Sequence, residues 1–492
     1  MRTRFVLFVL FGLCAGARAE VARDGELDPG YGSGGIALHS SARNGTVALD
    51  LVYDAVLQAD GKLLLAGRGR RLDGGQHAPQ EPMVVRLAAD GTLDASYGVG
   101  GVSVFPLAAP EDSEGGTARA AAFLSDGRLL VVGLIRADGG LSYRRCQLVY
   151  ALDANGNVDG SYGPGPGPVC TDFGHPAAPP GSTNAIYDAV GLAAGAAGAA
   201  AYISGPVTLN APGDSVIARL DSQGRFDPTF AVQGRLFLDN GTSILLHANT
   251  GLHLMPDNGV MAAASRSSLG AVSLGALRLD SAGTPIPGFG TGGFAGSVLE
   301  GQLVMGHGLD IDALGAPVVA GLARYFPPAS QADRCNFCVL RFTTNGSPDP
   351  GFNVLGTHPG APGTAEVSFP SGTSAGNVQA LRQRENGSLL LAGVVVDPAQ
   401  PGVEQVGLVS VLADGVDDPR FGETDTPGRL SLNPAGIDGA RSIPWDVVML
   451  PGKRAIVVGS YCCVPGGGPS ASGIFAFRLQ DDGLFADGFD GS

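Results

Sequence analysis

Apolar residues in this chain fall in short runs broken by turn residues, and no stretch repeats them at a helical period. From Tyr53 through Gly67 the order is Tyr53-Asp54-Ala55-Val56-Leu57, a turn at Asp60-Gly61, then Lys62-Leu63-Leu64-Leu65-Ala66-Gly67. Two apolar runs flanking Asp-Gly predict a β-hairpin, with positive φ angles supplied at the turn. Counterparts run from Ala122 to Gly133 around Asp126-Gly127, from Leu252 to Ala264 around Asn258-Gly259, and from Leu381 to Gly393 around Asn386-Gly387. The third unit departs, with an alanine-glycine stretch from Leu192 to Ala201. The second strand of each hairpin is apolar at every position, as in Leu129-Leu130-Val131-Val132, which predicts a strand covered on both faces. A third strand follows a variable loop, as in Met83-Val84-Val85-Arg86-Leu87, and a short fourth strand such as Gly101 to Phe105 comes last.

Between third and fourth strands stands a recurring motif. It reads Leu27-Asp28-Pro29-Gly30-Tyr31-Gly32, then Leu93-Asp94-Ala95-Ser96-Tyr97-Gly98, then Val158-Asp159-Gly160-Ser161-Tyr162-Gly163. Phe226-Asp227-Pro228-Thr229-Phe230 continues it, and weaker copies end at Phe289, Phe352, Phe421 and Phe489. Eight aromatic markers enclose seven intervals of similar length. Four antiparallel strands per interval predict an all-β fold, a seven-bladed β-propeller. The last blade lacks an outer strand, and the segment Gly35 to His39 is expected to supply it, closing the ring.

These residues resemble the delta-sixty repeat proteins of bacteria, whose repeat places apolar-Asp-x-x-aromatic-Gly after an Asp-Gly hairpin. The match covers residues 24 to 492; copies one to three fit well, and copies five, six and eight are degraded, as at Thr284-Pro285-Ile286-Pro287-Gly288-Phe289. The resemblance implies a β-propeller, often exported or surface-associated. It carries no catalytic residues over, because the family pattern is structural.

Composition changes the picture at the N-terminus. Arg2 and Arg4 precede an apolar run from Phe5 to Ala15, and Ala17-Arg18-Ala19 offers small residues for cleavage, so residues 1–19 are read as a signal peptide and 20–492 as one propeller domain. The product is expected to be secreted or periplasmic. No later run is long enough to span a bilayer as a helix. Removing the leader moves the formal net charge from −15 to −18, which disfavours nucleic acid and anionic lipid as partners. A protein or carbohydrate ligand is expected instead.

Arginine recurs on the third strand as Arg86, Arg219, Arg278, Arg341 and Arg478, and the motif aspartate as Asp94, Asp227, Asp349 and Asp487. Repetition around a ring predicts that arginine and aspartate, or arginine and neighbouring carbonyls, tie the third strand to the motif turn. Asp54, Asp188 and Asp446 open the first strands of units one, three and seven and would rim the channel. They could hold a calcium ion or cap backbone amides where the strands start. No other cofactor is expected. Six cysteines follow the leader, an even number that favours disulfides after export. Cys146 and Cys170 flank motif three and are the favoured pair, while Cys335 with Cys338 and Cys462 with Cys463 are close enough for local bridges. The loops Arg68 to Pro82, Leu134 to Arg145, Arg324 to Arg334, Val394 to Glu404 and Ser460 to Ser472 vary most. No metalloprotease, nucleophile-elbow or phosphate-loop motif occurs. The first expectation is therefore a non-enzymatic scaffold that binds through these loops; the alternative is a hydrolase, lactonase or lyase with a metal in the channel, since propeller enzymes assemble their sites from several blades.

Overall fold

The structure is a computed structural model. It describes residues 24–42, 45–72, 80–105, 113–139, 142–163, 191–194, 201–209, 211–238, 244–246, 251–268, 271–298, 303–324, 335–353, 363–367, 369, 374–396, 403–422, 426–436, 439–452, 454–462 and 472–480. Among them every helix-or-strand element is a β-strand. Pairing groups the strands into six sheets. One of these holds two antiparallel units, the second beginning at Ser113–Phe123, joined by a single parallel contact between Gln80 and Gly115.

Unit one shows why the sequence folds this way. Val47–Leu57 pairs with Leu63–Arg71, which pairs with Gln80–Leu87, which pairs with Val102–Val104. Along the second strand, Leu63 and Leu65 enter one apolar cluster and Leu64 and Ala66 enter another. Alternation of side chains thus sends a continuous apolar run into two different cores. The pattern holds throughout the described residues, where seven apolar clusters each join two units. One of them joins the two ends of the chain, packing Val52, Leu65 and Val85 against Ile456, Val458 and Ala476.

The hairpin turns differ from the expectation in one respect. Only one residue per turn takes positive φ: Gly61 at 83°, Gly127 at 86° and Gly387 at 81°. The preceding Asp60, Asp126 and Asn386 instead accept a hydrogen bond from the amide two residues on. In unit four the left-handed residue is Asn258, φ 60°, so Asp257-Asn258 fills the Asp-Gly place and the expected Asn258-Gly259 is one residue late.

The segment Ile36–His39 pairs antiparallel with Gly473–Leu479, Ile36 opposite Phe477 and His39 opposite Ile474. The motif aromatics explain how successive units meet. In each case the amide after the aromatic donates to the carbonyl before the next unit's turn glycine. The seven pairs are Gly32 to Asp90, Gly98 to Asn155, Gly163 to Gln223, Ala231 to Ala282, Gly290 to Asn345, Asn353 to Asp414 and Gly422 to Asp24, at 2.5–3.0 Å. The seventh receiving turn is the N-terminal Asp24-Gly25, where a Cβ on Gly25 would strike the Phe421 ring.

The arginine–aspartate ties are present at Arg86–Asp94 (2.9 Å), Arg219–Asp227 (2.8 Å) and Arg341–Asp349 (2.7 Å). Two differ from expectation. Arg478 pairs with Asp28 of the first motif at 2.7 Å, and Asp487 lies outside the described residues. Arg278 turns to Asp257 at 2.6 Å because its own motif carries Ile286 where the aspartate should stand. Units two and six hold Ala151 and Ser410 at the arginine position, and arginines from the hairpin replace it. Arg128 reaches Asp159 at 2.6 Å, and Arg384 reaches Ser410 Oγ, which donates to Asp418. Six of these guanidinium groups, all but Arg278, lie 4.5–5.9 Å from a motif ring centre.

Candidate functional site in the channel

The first strands carry a repeated irregularity. Between Val52 and Asp54, Ala118 and Ala120, Gly306 and Gly308, Val378 and Ala380, and Pro444 and Asp446 the register slips by one. Tyr53, Arg119, His307, Gln379 and Trp445 are the extra residues. Each bulge faces a glycine at the end of the second strand's apolar run: Gly67, Gly133, Gly321, Gly393 and Gly459. A Cβ on Gly67 or Gly133 would collide with the Leu51 or Thr117 carbonyl pushed out by the bulge. Glycine there permits the bulge, and the bulge re-aims one side chain out of the ladder.

Tyr53, Arg119, Gln379 and Trp445 all line one cavity of about 290 Å³, with Asp54, Leu192, His253, Leu309, Arg382 and Asp446. Its wall draws on the first strand of every one of the seven repeat intervals. Trp445 and Tyr53 lie tilted at 55° with ring centres 4.9 Å apart, and the Arg119 guanidinium sits 3.9 Å from the Tyr53 ring centre. The Trp445 indole nitrogen is buried and has no hydrogen-bond partner among the described residues.

Two carboxyl groups anchor this wall. Asp446 is 4% exposed; its Oδ1 accepts from Arg382 Nη2 at 2.6 Å and its own neighbour Val447 N at 2.8 Å, and its Oδ2 accepts from Ala55 N at 3.2 Å. Asp54 accepts from Ala55 N at 3.0 Å and from Ala121 N of the next unit at 2.7 Å. Burial, followed by the Asp446 charge, holds the Asp54 carboxyl well above its ordinary value of 3.8. Asp310 repeats the arrangement, accepting from Gln383 N of the next unit at 2.7 Å. His253 lies 3.6 Å from Asp310, and burial pulls its pKa below the ordinary 6.5 against the opposing Asp310 charge.

Asp54 and Asp446 stand within their strands Val47–Leu57 and Arg441–Met449 rather than at the starts. Asp188 lies outside the described residues. Among the described residues no three His, Cys, Asp or Glu side chains converge to hold a metal. Cys338 is fully buried and Cys462 half-buried, while Cys170 and Cys463 fall outside the described residues, and the side chains of Cys146 and Cys335 are not described. Much of the loop set expected to bind falls outside them too.

Sequence reasoning missed Tyr53, Arg119, Gln379, Arg382 and His253 as site residues. The signal available for the bulges was the glycine closing each apolar run, opposite a large or polar residue in an otherwise small or branched strand.

An all-β chain of antiparallel sheets with stacked cores defines a β-propeller. A family model described as "Domain of unknown function (DUF5122) beta-propeller" matches residues 58–97. No curated protein sequence matches the chain. Solved structures similar to it include a polysaccharide lyase, Uly1, at 10% identity and TM-score 0.45 over 87% of this chain and 90% of that one. An endo-arabinase from Bacteroides thetaiotaomicron VPI-5482 matches at 12% identity and TM-score 0.32, covering 57% of this chain and 90% of that one. A mutant Trypanosoma rangeli sialidase matches at 10% and 0.35, covering 91% of this chain and 59% of that one. The first expectation, a non-enzymatic scaffold working through its loops, is corrected in favour of a hydrolase or lyase type: the ionisable groups that converge among the described residues are Asp54, Arg119, His253, Arg382 and Asp446, on the cavity wall built by the first strands.

Proposed function

We propose that this protein is an enzyme of hydrolase or lyase type that works on a saccharide held in the channel of a seven-bladed ring, closed by its N-terminal strand. The ring is supported by the seven inter-unit bonds, of which the last joins Gly422 to Asp24, and by the cluster shared between the first and last units. Export through the leader at residues 1–19, with disulfides among the six cysteines, belongs to the same reading.

The observation that carries the enzymatic reading is the unlike environment of two neighbouring carboxyl groups. Asp446 is paired with Arg382, whereas Asp54 is buried beside Asp446 and keeps its proton to higher pH. A buried carboxyl that keeps its proton beside one paired with an arginine suits general acid and base or stabiliser roles. Asp54 would donate the proton to a departing oxygen, and Asp446 would face the positive charge or the water. The Tyr53–Trp445 pair offers apolar faces against which a sugar ring packs. A carbohydrate is compatible with the solved neighbours named above.

The test is a screen of the purified chain on polysaccharides, followed by Asp54→Asn. Loss of about a hundredfold or more in kcat, with unchanged thermal unfolding, supports the role. Because the acid must be protonated, activity is expected to fall as pH rises through the raised Asp54 value. An Asp54→Asn protein with full activity would end this assignment.

A further inference from the structure

The two carboxyl groups that anchor the channel wall act from one side. Asp54 Oδ1 and Asp446 Oδ2 accept from the same backbone amide, Ala55 N, at 3.0 and 3.2 Å, so these oxygens stand too close together to flank a sugar. Their partner oxygens are also engaged. Asp54 Oδ2 takes Ala121 N at 2.7 Å, and Asp446 Oδ1 takes Arg382 Nη2 at 2.6 Å and Val447 N at 2.8 Å. Hydrolysis of a glycosidic bond needs a proton donor at the departing oxygen and a group that takes a proton from the attacking water. When configuration inverts, the two stand on opposite faces of the sugar. A side-by-side pair leaves the second place to another residue. His253 lines the same cavity from unit four, three repeat intervals from Asp54. Its Nε2 lies 3.2 Å from the Leu309 carbonyl oxygen and 3.6 Å from Asp310 Oδ1. A carbonyl oxygen only accepts, so Nε2 carries the ring proton and Nδ1 is the bare acceptor, with no donor to it among the described residues. Asp310 is itself fixed by Ile311 N at 2.9 Å and Gln383 N at 2.7 Å. A ring held at one nitrogen, with the other open to a cavity it lines, is an oriented base.

We propose that His253 is the general base of the channel site, its Nδ1 taking a proton from a water whose oxygen attacks the anomeric carbon on the face of the sugar opposite Asp54. The inference rests on the channel acting as a hydrolase, and it names both the residue and the stereochemistry. As the water oxygen bonds to carbon, the bond to the departing oxygen breaks with its electron pair. Asp54 gives that oxygen a proton, and Nδ1 holds the proton the water lost. Solvent then returns a proton to Asp54 and removes one from His253. Asp446, tied to Arg382, faces the positive charge that develops on the sugar. Asp310 is a positioning residue, acting through the base.

Turnover of arabinan, galactan, xylan and polygalacturonate by the full chain decides it, with the anomer of the first product read by proton NMR and the rate followed against pH. Inverted configuration is expected, with activity rising as pH rises through the His253 value. Burial holds that value below the ordinary 6.5; the charged groups facing the ring are Asp310, which opposes the shift, and Arg382, which adds to it. His253→Gln keeps a donor for the Leu309 carbonyl and removes the base. A loss of about a hundredfold or more in kcat, with unchanged thermal unfolding and partial recovery in added imidazole, supports the role. Asp310→Asn removes the charge that favours the imidazolium, so the acid limb of the profile should move to lower pH. A retained anomer, an unsaturated product, an unmoved acid limb in Asp310→Asn, or a His253→Gln protein as active as the parent overturns the base and leaves the channel enzyme standing. Full activity in Asp54→Asn, or turnover of none of these polysaccharides, overturns the channel reading and the base with it.

Discussion

Tyr31, Tyr97 and Tyr162 carry a hydroxyl that Phe230, Phe289, Phe352 and Phe421 lack at the equivalent motif position. All three hydroxyl oxygens are buried with no partner among the described residues, and burial drives each phenol pKa well up. The ring does the packing, and the hydroxyl is a desolvated passenger. Tyr97→Phe is therefore expected to raise stability by roughly 1 kcal/mol in urea unfolding. Arg86→Ala should act in the opposite sense. It removes the ion pair to Asp94, the bonds to the Ala154 carbonyl at 2.9 Å and Ser96 Oγ at 3.0 Å and the contact with the Tyr97 ring, leaving Asp94 with Lys62 at 3.2 Å as its ion-pair partner and with Ser96. A loss of about 2–3 kcal/mol is expected, and equal midpoints for Arg86→Ala and parent would show that the tie does not matter. The guanidinium persists in units two and six even though it comes from another strand, because the negative or polar turn and the ring face need a cation at that point in space. Which residue supplies it is free to vary.

On the scale of a strand, the link between sequence and site is the bulge. Gly459 stands opposite the bulge that exposes Trp445, and a Cβ there would collide with the Ile443 carbonyl and the Phe475 ring. Gly459→Ala is expected to cost roughly 1–3 kcal/mol by overpacking. It should also move the side chain it permits. Trp445 is the chain's one tryptophan, so intrinsic fluorescence reports this bulge alone, and the emission maximum should shift in the folded variant. A destabilised protein with unaltered emission would show that the glycine serves packing and not the placement of Trp445.

For the whole molecule, the ends are the weak point of the fold. Arg478 and Asp28 are 450 residues apart in sequence, and Ile36–His39 covers the edge of Gly473–Leu479. A chain beginning after His39 loses this strand, the Asp28 carboxylate and the Asp24-Gly25 turn beneath Phe421 together. It should expose an unpaired strand edge and associate, read as dimers or larger species in size-exclusion chromatography. Arg478→Ala, which breaks one tie and keeps the strand, should stay monomeric. A truncated chain that remained monomeric with the parent's unfolding midpoint would show that the first segment does not hold the ends together.

The repeat length, the hairpins, the doubly covered second strands and the ties Arg86–Asp94, Arg219–Asp227 and Arg341–Asp349 could be read from the residues alone, because they follow from neighbours close in sequence and a side-chain period of two, whereas Arg478 finds Asp28 only across the 450 residues that separate them. The turn at Asp257-Asn258 escaped by one residue, since aspartate and asparagine both accept the left-handed place and local pattern does not choose between registers. What only the tertiary structure decided is the site. Tyr53, Arg119, Arg382 and Trp445 lie in four different repeat intervals, and no spacing in the chain predicts that they share a cavity. Their meeting depends on the angle between successive sheets and on bulges whose cause sits on the facing strand, so it arises when the units pack against one another and cannot be written in any one of them.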